Sequence, residues 1–268
     1  MSTIEERLDI ALKVGAQAAQ IALQHFHSVS TLTIENKGQQ DFVSNADREV
    51  EQYLRRHLSD AFPTDGIIGE EFDNTVSTSG YTWVLDPIDG TASFIVGRPG
   101  WCVVLACVHE SRAVLGVVID PVARETYRAV RGQGAWLNDE PINPSSSRSL
   151  NNGSVGTGYS NKFPADLVLH LLKRLLIEEN GIFYQNASGA LMLVYVACGR
   201  LIGYTEAHMY AWDCMAALLI IEEAGGVVQQ HDQKRMLEHG ERVVAACPGV
   251  FDKLAELSDD AYGEYRRS

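Results

Sequence analysis

The sequence predicts an α/β protein built from two intimately packed halves that meet near residue 150. Three observations carry this. Apolar residues recur at helical spacing over 4–60, and Val- and Ile-rich strand segments crowd 81–137. Beyond NPSSSRSLNNGS (143–154), the best linker candidate by composition, helix and strand patterns alternate. A chain of 268 residues is ample for a sizeable core in one large domain or two halves. The halves are taken as 1–150 and 151–268.

The elements follow in order. Ile4, Leu8, Ala11, Leu12, Gly15, Ala19, Ala22, Leu23 and Phe26 predict an amphipathic packing helix. Thr31 to Glu35 alternates like a strand, and Val50, Tyr53, Leu54 and Leu58 mark one face of a helix over 46–60. Strands are expected at Tyr81 to Leu85, Trp101 to His109, Ala113 to Asp120 and Glu125 to Val130. The second half reads as helices near 164–179 and 188–198, a strand near 201–206, and a helix over 213–224 stopped by Ala224-Gly225-Gly226. Val227-Val228 starts a strand, and Arg242 to Ala246 with Pro248 to Leu257 gives a closing strand and helix. Trp83, Trp101 and Trp136 read as packing residues.

Composition narrows the function. Hydrophobic residues make up 46% and charged residues 21%, a balance that suits a soluble globular protein. The net charge of −13 argues against a nucleic-acid backbone or an anionic membrane as partner. It leaves a phosphate substrate open, because a bound cation reverses the local field. The five cysteines, Cys102, Cys107, Cys198, Cys214 and Cys247, contain no C-x-x-C pair and mostly sit in apolar runs. They read as small core residues rather than a disulfide framework or a zinc site. MSTIEERLDIALK is acidic where a signal peptide would be basic and then apolar, and Ala216 to Ile221 is too short to span a bilayer. A cytoplasmic location is the expectation.

The chemistry concentrates in WVLDPIDGTASF, residues 83–94. An apolar strand runs into Asp86 and Asp89, with Pro87 holding the backbone between them. The two carboxylates and the Ile88 carbonyl are hard oxygen ligands of the kind Mg²⁺ prefers. Gly90 lets an anion approach the main chain, and if Thr91 to Phe94 open a helix, their N–H groups offer a phosphate seat. Asp-Pro and Asp-Gly are also common turn dipeptides, so alone the motif fits a surface turn equally well.

Further acids are needed to hold two metals about 3.5–4 Å apart. In IIGEE (67–71), adjacent glutamates on a strand point to opposite sides, so at most one faces a shared cleft, and Glu70 is favoured. Asp213 precedes a long apolar helix in AWDCMAALLIIEEAGG. It serves either as an N-cap or as an acid at the mouth of a buried helix that wants a cation. Asp47, in DFVSNAD, opens the second helix and would cap it, or pair with the Thr91 hydroxyl to take a proton from a water.

Taken together, GEE, then DPIDGT, then WD before a helix ending in EAGG resemble the inositol monophosphatase family of magnesium-dependent, lithium-sensitive phosphatases. The likeness runs from about Lys37 to Cys247. It implies a layered αβαβα sugar-phosphatase fold, a homodimer, and two or three Mg²⁺ per site. By resemblance, Glu70, Asp86 and the Ile88 carbonyl would hold a first Mg²⁺, and Asp86, Asp89 and Asp213 a second. Glu70 would also face a weaker third. Gly90 and Thr91 would bind the phosphate through their N–H groups, and Thr91 with Asp47 would help activate the attacking water. Asp89 and Asp213 would also border the substrate. Glu206 would bond a substrate hydroxyl, and Ser188 and Gly189 would line the ring pocket. The implied reaction is metal-activated, in-line water attack on a small polyol monophosphate, myo-inositol monophosphate first. No C-x5-R loop or G-x4-G-K-[ST] P-loop offers another route.

The chain departs from the family pattern in places that bear on substrate. Ala92-Ser93 stands where GTxNF is common, and GTASFIVGRP is similar to the histidinol-phosphate phosphatase branch. Trp212 before Asp213 is similar to the inositol branch, and Ala187 replaces a usual glycine. Glu206 suits a hydroxyl or an ammonium group. Histidinol phosphate is therefore the alternative ester, and a non-catalytic relative that binds phosphorylated ligands is the alternative class. Lys37 reads as a solvated surface lysine near the acidic site, and His208, close to Glu206, as an exposed loop histidine.

Overall fold

A computed structural model of the chain describes residues 3–38, 41–159 and 163–263. In chain order the helices and strands begin with α1 (Ile4–Phe26), β1 (Ile34–Gly38), β2 (Asp41–Ser44), α2 (Asn45–Ala61), β3 (Gly66–Gly69), β4 (Tyr81–Asp89) and α3 (Thr91–Phe94). There follow β5 (Cys102–His109), β6 (Arg112–Asp120), β7 (Glu125–Val130), β8 (Ala135–Leu137) and β9 (Glu140–Pro141). The remainder is β10 (Ser154–Thr157), α4 (Ala165–Lys173), β11 (Ile182–Tyr184), α5 (Gly189–Ala197), β12 (Gly203–Met209), α6 (Ala211–Glu223), β13 (Val227–Val228), α7 (Gln233–His239), β14 (Glu241–Ala246) and α8 (Phe251–Tyr262).

Two sheets form the frame. One has seven strands in the order β3-β4-β5-β6-β7-β8-β9, antiparallel except for the β3–β4 pair. The other has five in the order β11-β10-β12-β14-β13. Strand alternation sorts the core. In β5, Val103, Leu105 and Cys107 face a cluster shared with α1 and α2, while Cys102, Val104, Ala106 and Val108 face one shared with α5 and α6. Both faces of this sheet are thus apolar, and its central strands are buried along most of their length. Helices α5 and α6 also pack on the five-stranded sheet or its edge, and α4 and α8 cover that sheet's far side. The result is five layers, helix–sheet–helix–sheet–helix, in agreement with the layered α/β expectation.

Helix α1 is held at its start by a capping box, Thr3 with Glu6, and tied to the sheet by Arg7. The Arg7 guanidinium lies between the Phe62 and Tyr81 rings, 4.5 Å and 3.9 Å from their centroids, and pairs with Asp65. Asp65 also accepts from Ser79 Oγ at 2.6 Å and Trp83 Nε1 at 3.1 Å.

Several boundaries differ from the sequence reading. The expected strand at 31–35 is displaced: Val29–Thr31 is a 3-10 turn and β1 starts at Ile34. β4 does not stop at Leu85 but runs on through Asp89, because a bulge lets pairing with β5 continue past Pro87. The 164–179 helix is α-helical only to Lys173 and then widens into a π-turn at Arg174–Glu178. Helix α6 starts at Ala211, ahead of the expected residue 213. The 143–154 segment is not wholly a linker, since Leu150–Asn152 forms a 3-10 turn and Ser154 opens β10. Trp83 and Trp101 are core residues, as expected, and Trp136 is half-buried with the Arg128 guanidinium over its ring.

Candidate active site

The DPIDG motif is set by the β4 bulge. Asp86 pairs with Val104 and Asp89 with Cys102, so three steps along β4 oppose two along β5. In a regular strand, residues three apart point to opposite faces; one extra residue turns the second to the side of the first. Pro87 fits because it has no N–H to lose from the ladder. Asp86 Oδ1 accepts from Ile88 N at 2.9 Å, which fixes the carboxylate against its own turn.

Gly90 follows with φ +100°, a left-handed conformation, and a Cβ there would lie 2.6 Å from the Gly100 carbonyl oxygen. Only glycine meets both demands. α3 then makes a single turn in which Ser93 N and Phe94 N both donate to Gly90 O, so those two N–H groups are already engaged. Of the four N–H groups across Thr91 to Phe94 expected to seat a phosphate, those of Ser93 and Phe94 are thus not free to do so. Thr91 Oγ1 lies 3.1 Å from Ile88 O and 3.4 Å from Asp47 Oδ1. Its single proton serves one of these acceptors at a time.

The remaining acids arrive from distant elements. Asp213 occupies the third position of α6 rather than its N-cap, and its Oδ2 accepts from Tyr210 N at 3.1 Å. One carboxylate oxygen from each of Asp86, Asp89 and Asp213 lies within 4.8 Å of the other two. Asp47 is likewise the third residue of α2, and its Oδ2 accepts from Ser44 Oγ at 2.6 Å and Ser44 N at 2.9 Å. Glu70 comes just after β3 and acts on Asp86, whereas Glu71 acts on Asp47 and Glu51.

Electrostatics support a cation here. Burial pushes Asp86 well above the usual aspartate range, and the charges of Glu70, Asp89, Asp213 and Asp47 push it further. Burial and then Asp89 do the same to Asp213. Asp89 is raised by burial to about 6 even though Ser188, Ala190 and Gly189 donate to it. All four of the charges named as acting on Asp86 are acidic, so the set is costly without a counter-ion. Clustered hard oxygens fit Mg²⁺ in donor type and charge.

The substrate-side residues divide. Ser188 is fully buried as the N-cap of α5, and its hydroxyl donates to Asp89 Oδ2 at 2.6 Å while accepting from Leu191 N at 3.0 Å. It supports Asp89 rather than lining an open ring pocket. Gly189 sits against the Met209 methyl and the Tyr204 hydroxyl, where a Cβ would meet Met209 Cε at 2.5 Å. Glu206 is half-buried on β12, accepts a short hydrogen bond from Tyr204 OH, and is raised to about 7 chiefly by burial. His208 is not in a loop, as expected, but in β12, with Nε2 bonded to His239 O at 2.7 Å. The Lys37 side chain lies outside the described residues.

Sequence reasoning missed three supports. Glu51 is fully buried beneath the Glu70 segment, and its signal was the i, i+4 spacing from Asp47. Tyr204 lies two residues before Glu206, the strand spacing for a shared face. Cys102 Sγ lies 3.9 Å from Asp89 Oδ2, a contact that only the β4–β5 register creates.

Known proteins resemble this chain over nearly its whole length. Residues 3–261 match the Inositol monophosphatase family. The Nus factor SuhB of Pseudomonas aeruginosa is 34% identical over 259 residues, 94% of this chain and 95% of that protein. The inositol-1-monophosphatase of Rhizobium meliloti is 36% identical over 222 residues, 82% of this chain and 83% of that one. Among solved structures, the Thermotoga maritima IMPase superposes with a TM-score of 0.85 at 27% identity, covering 97% of this chain and 99% of that one. The chain belongs to the inositol monophosphatase family.

Proposed function

We propose that this chain is a Mg²⁺-dependent phosphomonoesterase acting on a small polyol monophosphate, myo-inositol monophosphate first. Family membership supports a phosphatase. The convergence of Asp86, Asp89 and Asp213 within 4.8 Å, beside Thr91 and Asp47, carries the reading. In this proposal the half 1–150 supplies most ligands and 151–268 supplies Asp213 and the substrate contacts, so the site closes between them. The assembly is a homodimer in a reducing cytoplasm, a setting that the five free thiols suit.

Asp86, Asp89, Asp213, Glu70 and the Ile88 carbonyl would hold two Mg²⁺, with a third beside Glu70. Bound Mg²⁺ supplies the charge that neutralises the acids, draws electron density from the phosphate and acidifies the attacking water. The Gly90 and Thr91 N–H groups hold the phosphate in line. Thr91 Oγ1 accepts from the water and passes its own proton toward Asp47 Oδ1, which burial has made more basic. Glu206 accepts from a substrate hydroxyl and orients the leaving alcohol.

Ser93 and the FIVGRP run favour histidinol phosphate as the second ester. The relative named a Nus factor makes a non-catalytic role the competing class. Phosphate release from inositol 1-phosphate, histidinol phosphate and adenosine 3′,5′-bisphosphate, each with and without Mg²⁺, tests all of these. Mg²⁺-dependent turnover fastest on inositol phosphate is expected, and no turnover on any of the three sinks the enzyme reading. Inhibition by lithium is the further expectation.

A further inference from the structure

Asp47, Glu51 and Arg55 lie at i, i+4, i+8 and so share one face of α2. Asp47 bonds Thr91, while the next two residues grip the segment that follows β3. The Glu51 carboxylate has no exposed surface. Its Oε2 accepts from Glu71 N at 2.8 Å, and its Oε1 accepts from Arg55 Nε at 2.7 Å. Arg55 donates onward to the carbonyls of Phe72 at 2.9 Å and Asp73 at 3.1 Å. On the near side, a Cβ on Gly69 would lie 2.2 Å from Glu51 Oε1, so the chain rests directly on this carboxylate. The backbone is therefore held on both sides of Glu70, at Gly69 and at Glu71.

From this geometry we infer that Glu51, braced by Arg55, is a positioning residue for the metal site: it sets where the Glu70 carboxylate stands relative to Asp86 while touching neither metal nor substrate. The inference rests on the reading of Glu70 as a metal ligand. A buried carboxylate is costly unless fully partnered. Here its partners are one arginine and a main-chain N–H of the metal-binding segment. A hydrophobic contact would anchor that segment less sharply, because hydrogen bonds fix direction as well as distance. Misplacing a ligand by about 1 Å is enough to cost roughly 100-fold in activity. The i, i+4 continuation from Asp47 also ties water activation and the bracing of the Glu70 segment to one rigid helix.

The test is Mn²⁺ binding to the full chain, counted from the free-ion EPR signal, for the wild type, Glu51→Gln, Arg55→Lys and Glu70→Gln. Glutamine at 51 keeps the shape but loses the charge that pairs Arg55. Lysine at 55 keeps a charge beside Glu51 but loses the fork that reaches Phe72 and Asp73. Expected is a loss of about 10–100-fold in affinity for one ion in Glu51→Gln, the range for a group that orients a ligand, and a smaller loss in Arg55→Lys. Raised Mg²⁺ restores the kcat of Glu51→Gln but not that of Glu70→Gln. If Glu70→Gln loses an ion while both α2 variants bind with native affinity, the inference is overturned and Glu51 is only structural. If Glu51→Gln does not fold, native affinity in Arg55→Lys overturns it alone. If Glu70→Gln binds like the wild type, the ligand reading of Glu70 itself fails, a separate result.

Discussion

Asp86 and Asp89 stand on either side of a one-residue bulge in β4, and the bulge is why both reach Asp213. Without it, a strand would send one carboxylate into the α1–α2 core and the other toward α6. Asp89→Asn keeps the acceptor for Ser188 and Ala190 but removes the charge. The expected result is a loss of activity beyond the roughly 100-fold typical of a supporting contact, with unchanged circular dichroism. Near-native turnover would remove Asp89 from the metal set. The metal-free variant should also melt no lower than the wild type, because one repelling charge is gone.

The pH dependence of stability carries a definite sign. An aspartate titrates near 3.8 in the absence of shifts, and Asp89 near 6 in the folded protein. Between these values the folded state binds more protons than the unfolded one, so metal-free stability falls as pH rises through that window. Asp86 and Asp213 are shifted in the same direction and extend the fall upward. Melting curves across pH about 4 to about 8, in chelator and in Mg²⁺, read this out. The gap between the two curves should widen with pH; a constant gap would mean that Mg²⁺ does not engage these acids.

Burial pushes Glu206 up to about 7, so its carboxylate form predominates only above that value. As an acceptor for a substrate hydroxyl it should lower KM as pH rises through about 7, and Glu206→Gln should flatten that profile. Tyr204→Phe removes the donor that holds the value down, so the KM transition should move to higher pH. A KM profile that Tyr204→Phe leaves in place would detach Glu206 from substrate.

Far from the site, Asp65 is, among the described residues, the acid paired with the Arg7 guanidinium, and it also takes bonds from Ser79 and Trp83. Asp65→Ala leaves Arg7 buried and unpaired between two rings, which typically costs about 3–5 kcal/mol. Urea unfolding should show that loss. kcat of the protein still folded should be unchanged, and a fall in kcat instead would place this network in catalysis.

Much of this was legible in the chain. Helical spacing located α1 to its last residue, since an amphipathic helix must repeat its apolar face. The β1 strand was misplaced because it pairs with β2 in a two-stranded ribbon, where Ile34 and Glu35 are both exposed and give no buried alternation to read. Asp213 was legible as an acid at the mouth of an apolar helix, but its exact turn was not, because Ala211 and Trp212 read equally well as loop or helix. Glu51 escaped assignment because a buried glutamate looks, in sequence, like a surface polar residue.

Alone, the order of residues determined the alternation that makes two sheets and the local chemistry of DPIDGT, since both depend on neighbours a few positions away. The tertiary structure decided which acids meet. Asp47, Glu70, the Asp86–Asp89 pair and Asp213 lie on four separate stretches of chain. Their convergence depends on layer packing and on the bulge register, which are set by long-range burial rather than by local preference.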